Sequence, residues 1–185
     1  MPDDIQHMPA VSADKKRRPF LSRFRRNKKG SAAVEFALIG LPFFLILYAT
    51  VETGAIFFAA ASIEGATTDA ARLIRTGQAQ NGSLTQQSIE QYICDRLDFL
   101  PNCMANLHID VRTFDSFNNV SFPDPIMDGN LAGNFQFQPG SAGDIVLMRA
   151  YYEWPVSSPV GIGLQNLENG SRLLLTSTAF RNEPF

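Results

Sequence analysis

Two acids inside the apolar N-terminal run are the first residues placed where chemistry would matter. Glu35 and Glu52 interrupt "GSAAVEFALIGLPFFLILYATVETGAIFFAAAS". A helix starting at Ser31 needs about 20 residues to cross a ~30 Å hydrocarbon core, so Glu52 is expected at the far interface. Glu35 falls about one turn inside the near edge, where an unpaired carboxylate is costly. Lys28 or Lys29 would neutralise it if the side chain snorkels back. Cleavage after Gly30 would supply another cation, the freed amine of Ser31. A neighbouring subunit would then present that amine to Glu35, and two groups costly alone in lipid would form a pair.

Cys94 and Cys103 are the only cysteines. If their domain lies outside the cytoplasm, an oxidising compartment joins them in a disulfide; otherwise they are free buried thiols. A zinc site needs four ligands in close pairs, and besides these two the chain offers only His7 and His108. No metal or cofactor is therefore expected. Gly-rich phosphate loops, G-x-S-x-G and H-E-x-x-H are all missing. Asp110, Asp115, Asp124 and Asp128 are scattered without the spacing of a catalytic pair or a calcium loop. The expectation is a protein that is not an enzyme.

The elements that position these residues begin with a charge step. Residues 1–30 hold nine Lys or Arg against three Asp, a surplus of six, while residues 31–185 hold seven against fifteen acids, a deficit of eight. A basic run alone would also suit nucleic acid. Here it abuts "FALIGLPFFLILYATV", which carries no charge, and basic residues beside a hydrophobic span hold that flank in the cytoplasm. No nucleic-acid partner is expected; the lipid bilayer is. Helical spacing continues through Ile56, Ala59, Ala60, Ile63, Ala66, Ala70, Leu73 and Ile74 and stops at Gly77, a natural residue just past a helix end. That continuity argues against signal-peptidase cleavage at the A-x-A pattern of Ala59–Ala61. Pro42 removes a backbone donor and crowds the Leu38 carbonyl, which predicts a kink.

Basic residues, a glycine, a glutamate five positions on and then an apolar run form the processing pattern of type IV prepilins, here "KKGSAAVEFALIGLPFF". From residue 30 to 78 the chain resembles the TadE/TadG-like family of the tight-adherence (Flp type IVb) pilus system, through that start, Pro42 and the "DAARLIRTG" close. The resemblance implies a minor pseudopilin-like component of pilus assembly, with Gly30, Ser31 and Glu35 as the processing site. Its implied partners are a prepilin peptidase, other pilins or pseudopilins, and the inner-membrane assembly platform. The implied location is the bacterial inner membrane, single-pass, with the N-terminus cytoplasmic and the C-terminal domain periplasmic. TadG-type relatives share the segment without necessarily being processed. The alternative is therefore an uncleaved single-pass protein that binds envelope material through its periplasmic domain.

Three regions follow: a basic cytoplasmic leader over residues 1–30, a long helix over 31–77, and a periplasmic α+β domain over 78–185. In the last, Ser83 with Gln86 predicts a capped helix over about 84–97, with Ile89, Tyr92, Ile93 and Leu97 on its inner face. Leu107, Ile109 and Val111 alternate with His108, Asp110 and Arg112, the pattern of a strand with one wet face. Further strands are predicted over 144–154 and 171–180, giving a small antiparallel sheet of pilin-like character. Residues 117–143 read as a long Asn-, Pro- and Gly-rich loop with a short edge strand at "NFQFQ".

Overall fold

A computed structural model describes residues 30–82, 84–121, 123–157 and 163–185. The basic leader up to residue 29 and the expected cap Ser83 lie outside the described residues. The chain divides into two units between Leu45 and Ile46. One helix, α1 (Ser31–Arg75), makes up nearly all the described part of the first unit and opens the second. It continues through Pro42 and ends where its sequence predicts. The Gly77 N–H donates to the Ile74 carbonyl, and Gly77 itself takes φ 78, a left-handed conformation that glycine adopts without a Cβ penalty.

The second unit begins inside the helix because α1 acquires a buried stripe there. Ile56, Ala59, Ile63, Ala66, Ala70 and Ile74 are all buried, three or four residues apart. All six of these positions and neighbouring Ala71 carry small or β-branched side chains. A helical turn, α2 (Gln78–Asn81), leads to α3 (Gln86–Cys94). The cap of α3 is Thr85, not Ser83. The Ser88 N–H donates to the Thr85 hydroxyl oxygen, and the Thr85 N–H donates to the Ser88 hydroxyl oxygen, a reciprocal box two residues later than expected. Ile89 and Ile93 are buried on α3, Leu97 just beyond it, and Tyr92 is only half-buried. A further turn, α4 (Cys103–Asn106), precedes the sheet.

The sheet holds β1 (Leu107–Phe114), β4 (Ile145–Pro155) and β5 (Ser171–Arg181), all antiparallel in the order β1-β4-β5. The α+β class, the long helix and the small antiparallel sheet are as the sequence predicts. Register places Leu107, Ile109 and Val111 opposite Tyr152, Ala150 and Met148. That face joins the α1 stripe and the inner side of α3 in one core.

Across β1 and β4 the opposite face is not wet, although Leu175, Ser177 and Ala179 of β5 are exposed on it. Leu147, Arg149 and Tyr151 are buried on β4, and Asp110 on β1 is 1 % exposed. The long 117–143 segment covers them. It carries a short 3-10 turn (Phe117–Asn119) and a two-stranded ribbon, β2 (Ile126–Met127) with β3 (Asn130–Leu131). Ile126, Leu131 and Phe135 pack on Tyr151, Leu167 and Leu173, and the Phe135 ring stacks on His108 at 5.2 Å. The "NFQFQ" stretch does reach a sheet edge, as a single parallel bridge between Phe137 and Val111. The Val111 N–H donates to the Gln136 carbonyl and the Gln138 N–H to the Val111 carbonyl. Two residues earlier, side chains of α3 take over the edge. Glu90 Oε1 accepts the Ile109 N–H, and Gln86 Nε2 donates to the Ile109 carbonyl. The β1 edge is thus closed partly by backbone and partly by side chains.

Candidate functional site

The residues expected to act lie at the start of α1. Gly30 forms a 3-10 position immediately before the helix and is exposed. A Cβ built on it would meet nothing within 4 Å, and its φ lies outside the left-handed range. Neither steric crowding nor backbone conformation among the described residues therefore requires glycine at position 30. Glu35 is exposed, one helical turn beyond Ser31. Its neighbours on the helix surface are apolar: Val34, Phe36, Leu38 and Ile39 are all exposed, Phe36 to 71 %.

This exposed apolar surface persists as far as Val51 and includes Leu41, Phe43, Phe44, Ile46, Leu47 and Tyr48. Water would penalise such a surface heavily, whereas hydrocarbon accepts it on every side. Two threonine hydroxyls on this part of α1 are satisfied within the helix. The Thr50 hydroxyl donates to the Ile46 carbonyl and the Thr53 hydroxyl to the Ala49 carbonyl, each at 2.8 Å. Length and composition suffice to cross a bilayer. The N-terminal helix has the form of a single-pass membrane anchor.

Glu52, expected at the far interface, is buried against the end of β4, where Oε1 accepts the Ser157 N–H at 2.7 Å. Its Oε2 is buried without a hydrogen-bond partner among the described residues. The supposed signal-peptidase site fits poorly, since Ala59 is fully buried within unbroken helix.

Cys94 and Cys103 are joined, with Cα atoms 5.7 Å apart. The bridge ties the end of α3 to α4, and the Tyr152 hydroxyl donates to the Pro101 carbonyl within the closed loop at 2.7 Å. Residues 94–103 are therefore held at both the disulfide and the sheet.

A polar cluster that sequence reading missed lies under the 117–143 segment. Asp110 and Arg149 are register partners on β1 and β4, and Arg149 Nη2 donates to Asp110 Oδ2 at 2.6 Å. Arg112 Nε reaches the same carboxylate at 2.9 Å, and the Gln136 N–H donates to its other oxygen at 2.9 Å. Arg149 Nη1 donates to the Pro123 carbonyl, and Arg112 Nη2 to the Asn134 carbonyl. Burial pushes the Asp110 carboxyl up, but hydrogen bonds from Arg149, Arg112 and the Gln136 amide outweigh it and hold it below the ordinary aspartate value. Each group here is engaged by another part of the fold, so the cluster fastens the segment to the sheet. The one clue in the sequence is a lone Arg within the apolar strand "IVLMRAYY".

Residues 30–72 match the family described as TadE-like protein. The N-terminal helix is TadE-like. No curated protein and no solved structure matches the chain. The matched stretch opens on Gly30 and closes one turn before the end of α1, under a quarter of the chain. The α3–β5 domain lies wholly outside it. This TadE-like segment supports involvement in Tad pilus assembly.

Proposed function

We propose that the protein is a minor pseudopilin-like structural component of tight-adherence pilus assembly. In this reading residues 1–30 remain cytoplasmic, α1 holds the subunit in the bacterial inner membrane, and the α+β domain is periplasmic. A membrane prepilin peptidase cuts after Gly30. The observation that carries the proposal is the TadE-like match opening on Gly30, directly ahead of an exposed apolar helix. Gly30 adds support because packing among the described residues does not account for it, whereas a peptidase that must approach the backbone closely would favour glycine there.

After cleavage, the Ser31 amine of one subunit would meet Glu35 of its neighbour. Both charges would then leave water together, and the pair would fix the register between helices. Pro42 leaves the Leu38 carbonyl without its helical donor, and flexing during transfer from bilayer to filament is placed there. Catalysis has no part in this reading; the work is anchoring and assembly with other pilins or pseudopilins and the inner-membrane platform.

N-terminal sequencing of the protein from membranes tests it. Ser31 as first residue is expected, and Gly30→Phe should abolish that product. A chain that still begins at Met1 in cells making pili would establish instead the uncleaved anchor with a periplasmic binding domain. Glu35→Ala should leave cleavage intact and reduce piliation; normal piliation would remove the pairing step.

A further inference from the structure

The lipid-compatible surface of α1 extends past the stretch expected to span the bilayer. From Phe36 to Ser62 the sequence contains one charge, Glu52, and that carboxylate is buried under the Ser157 amide. The hydroxyl of Ser62, like those of Thr50 and Thr53, donates back into the helix, to the Phe58 carbonyl. Glu64 is the first exposed charge beyond. At a rise of ~1.5 Å per residue this stretch covers about 40 Å, more than a ~30 Å hydrocarbon core and close to a whole bilayer with its headgroups.

Two large side chains lie near its far end, Phe57 at 70 % and Phe58 at 62 % exposure. A third comes from the folded domain. Phe99, 46 % exposed, sits in the loop closed by Cys94–Cys103, with its ring 5.1 Å from that of Phe58. The disulfide and the Tyr152–Pro101 hydrogen bond hold this loop, so presenting Phe99 outward costs little further ordering. Met104, just past the bridge, is also exposed.

We propose that Phe57, Phe58 and the disulfide-closed loop bearing Phe99 form a bilayer-contacting surface, inserted in the headgroup layer on the domain side. The occupant is lipid because the patch continues the exposed apolar surface of Ile46–Val51 on the same helix, with no exposed charge between them. Amphipathic and aromatic groups gather at that depth. Glu52 then lies at membrane depth, where the Ser157 N–H donated to its Oε1 offsets part of the cost of burying the carboxylate. The proposal rests on α1 being the membrane anchor.

Trp154 is the only tryptophan, so Trp154→Phe gives a dark background for two reporters, Phe99→Trp and Leu47→Trp, the latter on the exposed helix surface. The full chain is reconstituted in phosphatidylcholine–phosphatidylglycerol vesicles containing phosphatidylcholine brominated near the headgroup or deep in the chain. Phe99→Trp is expected to emit at shorter wavelength than in water and to lose more intensity to the shallow label than to the deep one. If Leu47→Trp is quenched and Phe99→Trp is not, the domain stands clear of the bilayer and the proposal falls while the anchor stands. Blue-shifted but unquenched Phe99→Trp emission would mean that a protein surface covers the patch, which also overturns it. If neither reporter is quenched, the anchor reading fails first and the proposal with it.

Discussion

Asp110→Ala would leave the Arg149 guanidinium, itself 3 % exposed, with the Pro123 carbonyl as its remaining hydrogen-bond partner among the described residues and the Tyr151 ring 5.4 Å away. Its Nε is already buried without an acceptor among the described residues. Removing one partner of such a pair costs about 3–5 kcal/mol, because the stranded charge keeps its desolvation penalty. For a domain of this size that corresponds to a fall in Tm of roughly 10 °C or more. The Gln136 amide and Arg112 lose their acceptor at the same time, so the 123–136 segment should loosen along with the global fold. Thermal unfolding in detergent, followed by near-UV circular dichroism, measures the first effect; amide exchange at Gln136 measures the second. The Asp110 carboxyl titrates lower in the folded chain than in the unfolded one. Its contribution is therefore complete above the ordinary aspartate value of about 3.9 and is lost as pH falls through the depressed folded value. The gap between wild type and Asp110→Ala should be constant at neutral pH and close only in acid. Asp110→Leu with Arg149→Met should recover part of the loss, since no charge is left buried. Single variants within about 1 kcal/mol of wild type, or a double variant equal to their sum, would show that the pair is not the fastening described above.

Cys94→Ser should lower stability by about 2.7 kcal/mol on the chain-entropy account of so short a closed loop, read as a drop in Tm that reductant reproduces in the wild type and leaves unchanged in the variant. Ile63→Ala removes a side chain 1 % exposed where α1 meets the sheet; a loss of about 2–5 kcal/mol is expected by denaturant titration. Glu52→Leu removes the acceptor of the Ser157 N–H and should free the end of β4, seen as faster amide exchange at Ser157 with membrane insertion unchanged. Gly77→Ala places a Cβ at φ +78 and against the Phe185 ring, so about 1 kcal/mol of destabilisation is expected from backbone strain alone.

Local and periodic features were legible without coordinates because they depend on neighbours along the chain. Absence of charge over 36–51 marks an apolar helix, 3.6-residue spacing carries it to Ile74, and Gly77 ends it. Alternation locates β1, β4 and β5, and two cysteines near a turn make a bridge wherever the compartment oxidises them. The processing motif at Gly30, Ser31 and Glu35 was likewise readable as a pattern, and it stays a proposal because recognition by a peptidase is not a property of the fold.

Tertiary structure alone decided what long-range pairing governs. Asp110 alternates with Leu107, Ile109 and Val111 as a solvent-facing residue would, and only the register that sets it against Arg149 makes it a buried ion pair. The same register gives β1 and β4 a second covered face and turns the Asn- and Pro-rich 117–143 segment from a loose loop into its cover. Glu52 is another case. Counting residues along a helix gives its depth, and only the chain returning more than a hundred residues later lays the Ser157 amide over it. Periodicity reports which side of an element differs from the other. It does not report what arrives from elsewhere in the chain to cover that side, and burial of a charge depends on that arrival.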